Sequence, residues 1–340
     1  MNTDVPPSWQ LIALMDGFVT TQLIYVAAKL GIADLLQDGP RTGAELADAV
    51  AAEREPLSRV LKGLAAVGVL AEDRGGRFAL TDVGRALGQL RDMALVRGEV
   101  YYRAAAGLLD SVRHGDVAFD RVYGEAFFDH LARHPDLEDA FQGSMAGRSA
   151  QEAAAVLAVY DFTGIRTLVD VGGGQGVLLA AILQAHPDLE GILMDRDSVV
   201  AGAPSLLQRA DVSERVRCVS GDFFEEVPSG ADAYVLSRVL HDWSDADAQR
   251  ILHTCRRALP RHGRLVIIDA ILPERAAEGP FAIGMDLHML LLFGARERTR
   301  AQFHALLREA GFAVRRVIPT ASPAGLAVVE AVPDWGSGSG

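Results

Sequence analysis

The chain has 340 residues, of which 49% are hydrophobic and 23% charged, so we expect a soluble globular protein of two domains. Its formal net charge of −12 argues against nucleic acid as a partner, because Lys and Arg supply most of the affinity for phosphate. Cys218 and Cys255 have no C-x-x-C spacing, so we expect no metal site, no disulfide framework and a cytoplasmic location.

The N-terminal segment is apolar but does not resemble a signal peptide or a membrane span. "MNTDVPPSWQ" has neither a basic region nor a continuous apolar region. Residues 11–36 are interrupted by Asp16, Lys29 and other polar residues, whereas a membrane helix needs about 20 largely apolar residues. We therefore predict no membrane partner and a homodimer formed through these helices, whose apolar faces are too broad for a free surface.

Two predicted helices and a short hairpin follow. In "TGAELADAVAAE", Thr42 and Glu45 have the spacing of a capping box. "EPLSRVLKGLAAVGVL" is a second helix, and two short strands surround residues 74–76. This winged-helix pattern raises DNA binding as an alternative. Residues 41–85 contain seven basic and seven acidic residues, so a structural or dimerisation role is favoured.

Residues 96–160 are predicted to form a helical connection. Aromatic and apolar residues recur there at helical spacing, including Phe127, Phe128, Phe141 and Met145. Core packing is the favoured interpretation for each of them. Lining a substrate pocket remains the alternative, with Met145 as a candidate.

From Thr167 onward, short apolar runs alternate with helical segments. The pattern predicts a mostly parallel, Rossmann-like seven-stranded sheet with helices on both faces, preceded by a helical winged-helix-like domain. The expected divisions are 1–95 (dimerisation), 96–160 (connection), 161–333 (catalytic domain) and 334–340 (flexible tail). Ligands of such sheets bind outside the carboxyl ends of the strands, so functional residues are expected there.

The first of these strand ends carries a glycine loop, "LVDVGGGQGVLL". Its spacing is G-x-G-x-G, with Val177 in place of the third glycine of a dinucleotide-binding loop. Asp170 precedes the loop and would repel a pyrophosphate but suits a cation. A plain turn between strand and helix would not need glycine at Gly172, Gly173, Gly174 and Gly176.

The next two strand ends offer polar and aromatic groups for a nucleoside. Asp195 could accept both ribose hydroxyls, or could instead cap the following helix. Asp222 and Phe223 suit an adenine, the carboxylate binding the amine and the ring packing on the purine. A loop, a ribose acceptor and an adenine clamp at three successive strand ends favour an adenosyl cofactor.

The fourth strand ends in "VLSRVLHDWSD", where His241, Asp242 and Trp243 are adjacent. One interpretation is a turn with a helix cap behind it. The other is that these side chains lie at the mouth of a site.

With these motifs, and with "IIDAILPE" and "MDLHMLLLFGARERT", nearly the whole chain resembles the class I S-adenosylmethionine-dependent small-molecule O-methyltransferases. This family includes plant caffeate and flavonoid enzymes and bacterial antibiotic-tailoring enzymes. The resemblance implies S-adenosylmethionine as cofactor. It further implies that this cofactor is bound by Gly172, Gly174, Asp195, Asp222, Phe223 and Arg238, the last in place of the usual lysine.

The resemblance also implies that His241 is the general base, flanked by Asp269, where the plant enzymes commonly have Glu, and by Glu297. Asp242 would orient the acceptor or cap the next helix, and the cap is favoured. Trp243 is expected to pack rather than to bind substrate.

The expected activity is methyl transfer to a hydroxyl of an aromatic small molecule, such as a polyketide-like phenol of natural-product or antibiotic biosynthesis, without a metal. Met285, Met289 and Phe293 would form an apolar wall for the acceptor. One alternative is a cofactor-binding hydroxylase or decarboxylase, and a less favoured one is a winged-helix regulator that senses a small molecule.

Overall fold

The computed structural model describes residues 5–335, apart from the side chain of Ala146. The chain is divided into two compact units. One contains the residues up to His114 together with Ala118–Gly147, and the other contains Gly115–Val117 and the residues from Arg148 onward. The division falls inside a long helix, whereas the sequence placed the start of the catalytic domain at residue 161.

The N-terminal unit is helical with a small three-stranded sheet. Its helices are α1 (Pro7–Met15), α2 (Gly17–Lys29), α3 (Ile32–Leu35), α4 (Gly43–Ala49), α5 (Arg54–Ala66), α6 (Asp82–Gln89), α7 (Arg91–Val96), α8 (Tyr102–Ala104), α9 (Leu108–His114), α10 (Ala118–Tyr123) and α11 (Phe127–Arg133). The long helix α12 (Pro135–Leu157) belongs to this unit up to Gly147 and to the C-terminal unit from Arg148. The strands of the N-terminal unit are β1 (Arg41–Thr42), β2 (Leu70–Glu72) and β3 (Arg77–Leu80), in the order β1-β3-β2. A π-helical turn, Arg97–Tyr101, links α7 to α8.

Local signals in this unit are confirmed. Thr42 and Glu45 form the predicted capping box at α4, and β2 and β3 form the predicted antiparallel hairpin. Phe127 and Phe141 are buried, with ring centroids 5.2 Å apart, which agrees with the favoured core interpretation. That interpretation is wrong for Phe128, which is 38% exposed although its ring packs on those of Phe127 and Phe141.

Helices α1 and α2 expose large apolar side chains. Trp9, Leu14, Met15 and Phe18 are each more than half exposed. Among residues 5–335, no single helix is long and apolar enough to cross a membrane. Helices α1 and α2 together meet that criterion by length and composition only, and they are bent by 43° at their junction.

The C-terminal unit is a sheet between helices. Its strands are β4 (Thr167–Val171), β5 (Glu190–Asp195), β6 (Val216–Ser220), β7 (Ala233–Ser237), β8 (Arg264–Leu272), β9 (Arg298–Thr299), β10 (Phe312–Pro319) and β11 (Leu326–Pro333). Its helices are α13 (Val177–Ala185), α14 (Asp197–Val200), α15 (Ala203–Arg209), α16 (Asp245–Ala258), α17 (Pro280–Phe293) and α18 (Arg300–Glu309).

The main sheet has the order β10-β11-β8-β7-β4-β5-β6. Strands β6, β5, β4, β7 and β8 are parallel neighbours, while β11 runs antiparallel to both β8 and β10. This confirms the predicted seven-stranded, mostly parallel sheet, to which the two-residue strand β9 is added at the end of β8.

The chain order reverses between β4 and β7. In open α/β sheets, ligands bind at such a switch point, outside the carboxyl ends of the strands. The glycine loop follows β4 and the His241 turn follows β7, so both lie at this crevice.

The predicted tail is described only in part. The backbone N–H of Asp334 donates to Gly311 at 2.8 Å, and the Trp335 ring lies 3.6 Å from the Arg256 guanidinium. Residues 336–340 lie outside the described part of the chain.

Candidate active site

The glycine loop has a backbone that other residues would strain. Gly172 and Gly174 have φ of 69° and 61°, in the left-handed region. A Cβ on Gly172 would also lie 2.9 Å from Val239 Cγ2. At Gly174 it would meet no described atom within 4 Å, so open space adjoins the loop there.

Asp195 is joined directly to this loop. Its Oδ2 accepts the backbone N–H of Gly174 at 2.8 Å, and its Oδ1 accepts that of Arg196 at 2.7 Å. Helix α14 has Arg196 as N-cap, without a side-chain capping bond, so Asp195 is not the cap that the sequence left open. The carboxylate at the end of β5 and the loop after β4 therefore form one surface.

Phe223 belongs to the same surface. Its Cε1 would lie 3.4 Å from a Cβ on Gly172, and its ring packs edge-on to Trp243 with centroids 6.0 Å apart. Asp222 is exposed and accepts the backbone N–H of Phe224 at 2.8 Å. Trp243 also packs on Phe224, with centroids 4.7 Å apart, which agrees with its expected packing role.

Asp170 is a buried carboxylate beneath the glycine loop. Among the described residues, neither of its carboxylate oxygens has a hydrogen-bond partner. Burial, together with the charge of Asp195, raises the pKa of Asp170 to about 7. A carboxylate in this state suits a cationic ligand group. The sequence indicated that Asp170 suits a cation, but it did not predict that this carboxylate is buried.

His241, Asp269 and Glu297 come together as the resemblance implied. All three are buried. The Nδ1–H of His241 donates to Glu297 Oε1 at 2.9 Å, and Nδ1 lies 3.6 Å from Asp269 Oδ1. On the other ring nitrogen, Nε2 lies 3.4 Å from Asp242 Oδ1. Side chains from the turn after β7, from β8 and from the segment before β9 thus meet at one imidazole.

The carboxylates make this imidazole unusually basic. Burial opposes the imidazolium, but Asp269, Asp242 and Glu297 together raise the pKa of His241 to about 9. For the Glu297 carboxyl, burial alone would raise the pKa. The contact with His241 outweighs burial and holds the pKa of Glu297 below its usual value. Burial raises the pKa of Asp269.

Arg238 lies within this cluster rather than apart from it. Its guanidinium binds Glu152 of α12, with Nη2 2.6 Å from Oε1. Glu152 also accepts Nε–H of Arg148 at 2.8 Å. Neither Arg148 nor Glu152 was singled out from the sequence, because the pair has the i,i+4 spacing of an ordinary surface ion pair.

The ligand atoms of His241, Asp269 and Glu297 lie within 4.8 Å of one another, a spacing that could hold a metal ion. Arg238 Nη1 lies 3.6 Å from Asp269 Oδ1 and 3.5 Å from Glu297 Oε1. A cation of the chain itself therefore already faces both carboxylates.

A second buried arginine holds the turn that carries His241. Arg298 donates to the carbonyl oxygens of Leu240 at 2.6 Å and Trp243 at 2.9 Å, and its Nε–H donates to Asp245 at 3.0 Å. No local sequence pattern indicates this role, because the partners of Arg298 lie 53–58 residues away along the chain.

The favoured assignment of Asp242 as a helix cap is wrong. The N-cap of α16 is Ser244, whose hydroxyl accepts the backbone N–H of Asp247 at 3.2 Å. Two residues separate Asp242 from the first turn of that helix, so its carboxylate lies beside the imidazole instead.

The proposed wall residues lie on α17. Met285 and Phe293 are half-buried, whereas Met289 is 5% exposed. Asp286, on the same helix, accepts the backbone N–H of Glu297 at 2.8 Å, so α17 helps to place that residue. Met145 is half-buried on α12 in the N-terminal unit. The substrate roles of these residues stay predictions.

Fold and site together define an open α/β protein with a glycine loop and a buried acid–base cluster at the switch point of its sheet. Comparison with known proteins then identifies its family. The family model of the O-methyltransferase domain matches residues 106–313, and that of the O-methyltransferase dimerisation domain matches residues 12–89.

Individual relatives match over nearly the whole chain. Phenazine O-methyltransferase PhzM of Lysobacter antibioticus is 44% identical over 97% of this chain and 97% of its own. O-demethylpuromycin-O-methyltransferase of Streptomyces alboniger is 38% identical over 95% and 89%. The crystal structure of the O-methyltransferase NcsB1 from neocarzinostatin biosynthesis, with S-adenosylmethionine and 2-hydroxy-5-methyl naphthoic acid, has a TM-score of 0.80. It is 35% identical over 92% of this chain and 96% of its own. The chain belongs to the S-adenosylmethionine-dependent O-methyltransferase family.

Proposed function

We propose that this protein methylates a hydroxyl group of an aromatic small molecule, with His241 as the general base. The observation that carries the proposal is the buried His241–Glu297 hydrogen bond of 2.9 Å, with Asp269 beside it, at the carboxyl end of β7. The phenazine and O-demethylpuromycin relatives are named as O-methyltransferases, which favours an aromatic natural-product acceptor. Other relatives are named as N-methyltransferases, so the choice of a hydroxyl depends also on the buried base.

The residues at the crevice fit S-adenosylmethionine. Asp170 offers an unpaired buried carboxylate to a cation, and the backbone at Gly174 borders open space. We assign the methionyl part to Gly172, Gly174 and Asp170, the ribose to Asp195, and the adenine to Asp222 and Phe223. The cofactor supplies a methyl group already activated on a sulfonium, so the protein has to position the acceptor and manage one proton.

His241 can manage that proton because its basicity approaches that of a phenolate. An ordinary imidazole, with a pKa of about 6.5, lies roughly 3.5 units below a phenol of about 10. With the His241 pKa raised to about 9, most of that gap is removed. Glu297 fixes the Nδ1–H tautomer, so Nε2 is the nitrogen left to accept the proton. Asp242, 3.4 Å from Nε2, is placed to orient the acceptor.

The direct test is a screen with labelled S-adenosylmethionine against aromatic phenols, amines and acids. We expect methyl transfer to phenolic hydroxyls that depends on His241. Hydroxylation or decarboxylation without transfer of label would support the alternative activity. The complete cluster of His241, Asp269 and Glu297 argues against that alternative.

We also propose that the protein is a homodimer formed through its N-terminal unit. The dimerisation-domain match begins at residue 12, inside α1, and covers all of α2, and both helices expose large apolar residues. Such patches usually mark an interface.

A further inference from the structure

Arg238 has an unusual backbone and a nearly buried side chain. It follows β7 with φ of 56°, in the left-handed region that residues other than glycine rarely adopt. Its side chain is 12% exposed. A strained backbone and a buried charge are costly unless neighbouring groups stabilise them.

Glu152 stabilises the charge on one edge of the guanidinium. Nε approaches Oε1 and Oε2 at 3.1 and 3.2 Å, and Nη2 approaches Oε1 at 2.6 Å. Burial would raise the pKa of Glu152, but Arg238 and Arg148 hold it below its usual value. Glu152 is therefore an anion that fixes the position of Arg238.

The remaining nitrogen of the guanidinium faces the two carboxylates of the base. Nη1 lies 3.5 Å from Glu297 Oε1 and 3.6 Å from Asp269 Oδ1. The same two oxygens lie 2.9 and 3.6 Å from His241 Nδ1. Arg238 and His241 thus share their carboxylate partners.

The charges around His241 leave an excess of anions. The carboxylates are Asp242 beside it, Asp269 on β8, Glu297 before β9 and Glu152 on α12, and the cations are Arg148 and Arg238. Asp286 of α17 accepts the backbone N–H of Glu297, and its carboxylate adds a further negative charge near that of Glu297. With a neutral imidazole, four carboxylates face two guanidinium groups, so losing either guanidinium increases the proton affinity of the cluster.

We propose that Arg238 is a positioning residue that holds Asp269 and Glu297 and limits the basicity of His241, and that Glu152 holds Arg238 in place. The inference rests on the proposed role of His241 as base. It differs from the cofactor contact that the family resemblance assigned to Arg238. Lysine would serve less well, because an ammonium lacks the planar fork that hydrogen-bonds Glu152 on one edge while a third nitrogen faces Asp269 and Glu297 at 3.6 and 3.5 Å.

The test compares Arg238→Gln with Glu152→Gln, whose effects must have opposite signs. The first removes a cation, so the His241 titration, followed by NMR of labelled histidine, should move up by about 1–2 pH units. The second removes an anion and leaves the charge of Arg238 less compensated, so the titration should move down by a smaller amount. The acid limb of kcat/KM should follow both shifts.

Glu330→Gln is the matched control. Glu330 is also buried and accepts hydrogen bonds from Arg316 at 2.8 Å and Tyr160 at 2.6 Å, outside the site. Its loss removes the same charge from a buried carboxylate whose partner Arg316 is half exposed, and it should leave the His241 titration unchanged.

Binding of S-adenosylhomocysteine, measured by calorimetry, separates the two roles of Arg238. Nearly unchanged affinity with a shifted titration supports the proposal. Weakened affinity with an unshifted titration makes Arg238 a cofactor ligand and overturns it. If Arg238→Gln does not fold, a His241 pKa that is unchanged or raised in Glu152→Gln is enough to overturn the proposal. Because NMR needs no turnover, failure to find a phenolic acceptor would refute the proposed function without affecting this test.

Discussion

In the proposed reaction a single imidazole, that of His241, accepts the proton, and its environment decides the pH at which it can do so. Only neutral His241 can accept a proton, and the surrounding carboxylates raise its pKa to about 9. Activity should therefore be low where the imidazolium dominates and should increase as pH rises through that value.

We predict that kcat/KM, which reports the free enzyme, rises up to about pH 9 rather than levelling near 6.5. The measurement needs an acceptor whose own hydroxyl does not titrate below pH 10. A profile already level at pH 7.5 would contradict the assigned basicity of His241.

Asp170 gives a second pH dependence, with a different origin. Its pKa of about 7 in the unliganded protein means that it is largely protonated below neutral pH. S-adenosylhomocysteine carries an ammonium, so its affinity should increase as pH rises through 7 and Asp170 ionises. In Asp170→Asn this increase should disappear. Calorimetry at several pH values that gave the same slope for both proteins would exclude Asp170 as the partner of the ammonium.

At the scale of elements, the strands could be predicted from the sequence, but the side-chain contacts that join one element to another could not. A strand buried on both faces is a continuous apolar run, and "TLVDV" is β4 residue for residue. The His241 cluster was found because its motifs resemble a known family. Glu152 was missed because its partner Arg238 is 86 residues away, and no local pattern encodes that pairing.

The turn between β7 and α16 depends on Arg298. We predict that Arg298→Met lowers the free energy of unfolding, because each buried acceptor left unpaired costs about 1–3 kcal/mol and Arg298 serves the carbonyls of Leu240 and Trp243. Denaturant unfolding measures this loss, and kcat should fall with it because His241 lies between those carbonyls.

Arg296→Met is the control for that measurement. Arg296 pairs with the same Asp245 but is roughly half exposed, so its loss should cost much less. Equal destabilisation by the two variants would mean that the backbone contacts of Arg298 do not hold the turn.

At the scale of the whole molecule, the apolar surface of α1 and α2 predicts a dimer. Light scattering should give twice the chain mass of 36.3 kDa. Phe18→Glu, which places a charge on this 55% exposed ring, should shift the mass toward the monomer. A stable monomer of the unaltered protein at micromolar concentration would contradict the proposed interface.

The measurement that tests the central claim most directly is turnover by His241→Gln beside its cofactor affinity. We predict that kcat falls about 10²–10⁴-fold while S-adenosylhomocysteine binds nearly as before, because the assigned cofactor contacts lie at other strand ends. The loss should be smaller for acceptors of lower hydroxyl pKa, which need less help in losing the proton, and Glu297→Gln should show a milder defect. Full turnover by His241→Gln on a good phenolic acceptor would mean that positioning alone carries the reaction and that His241 is only a buried residue of the turn.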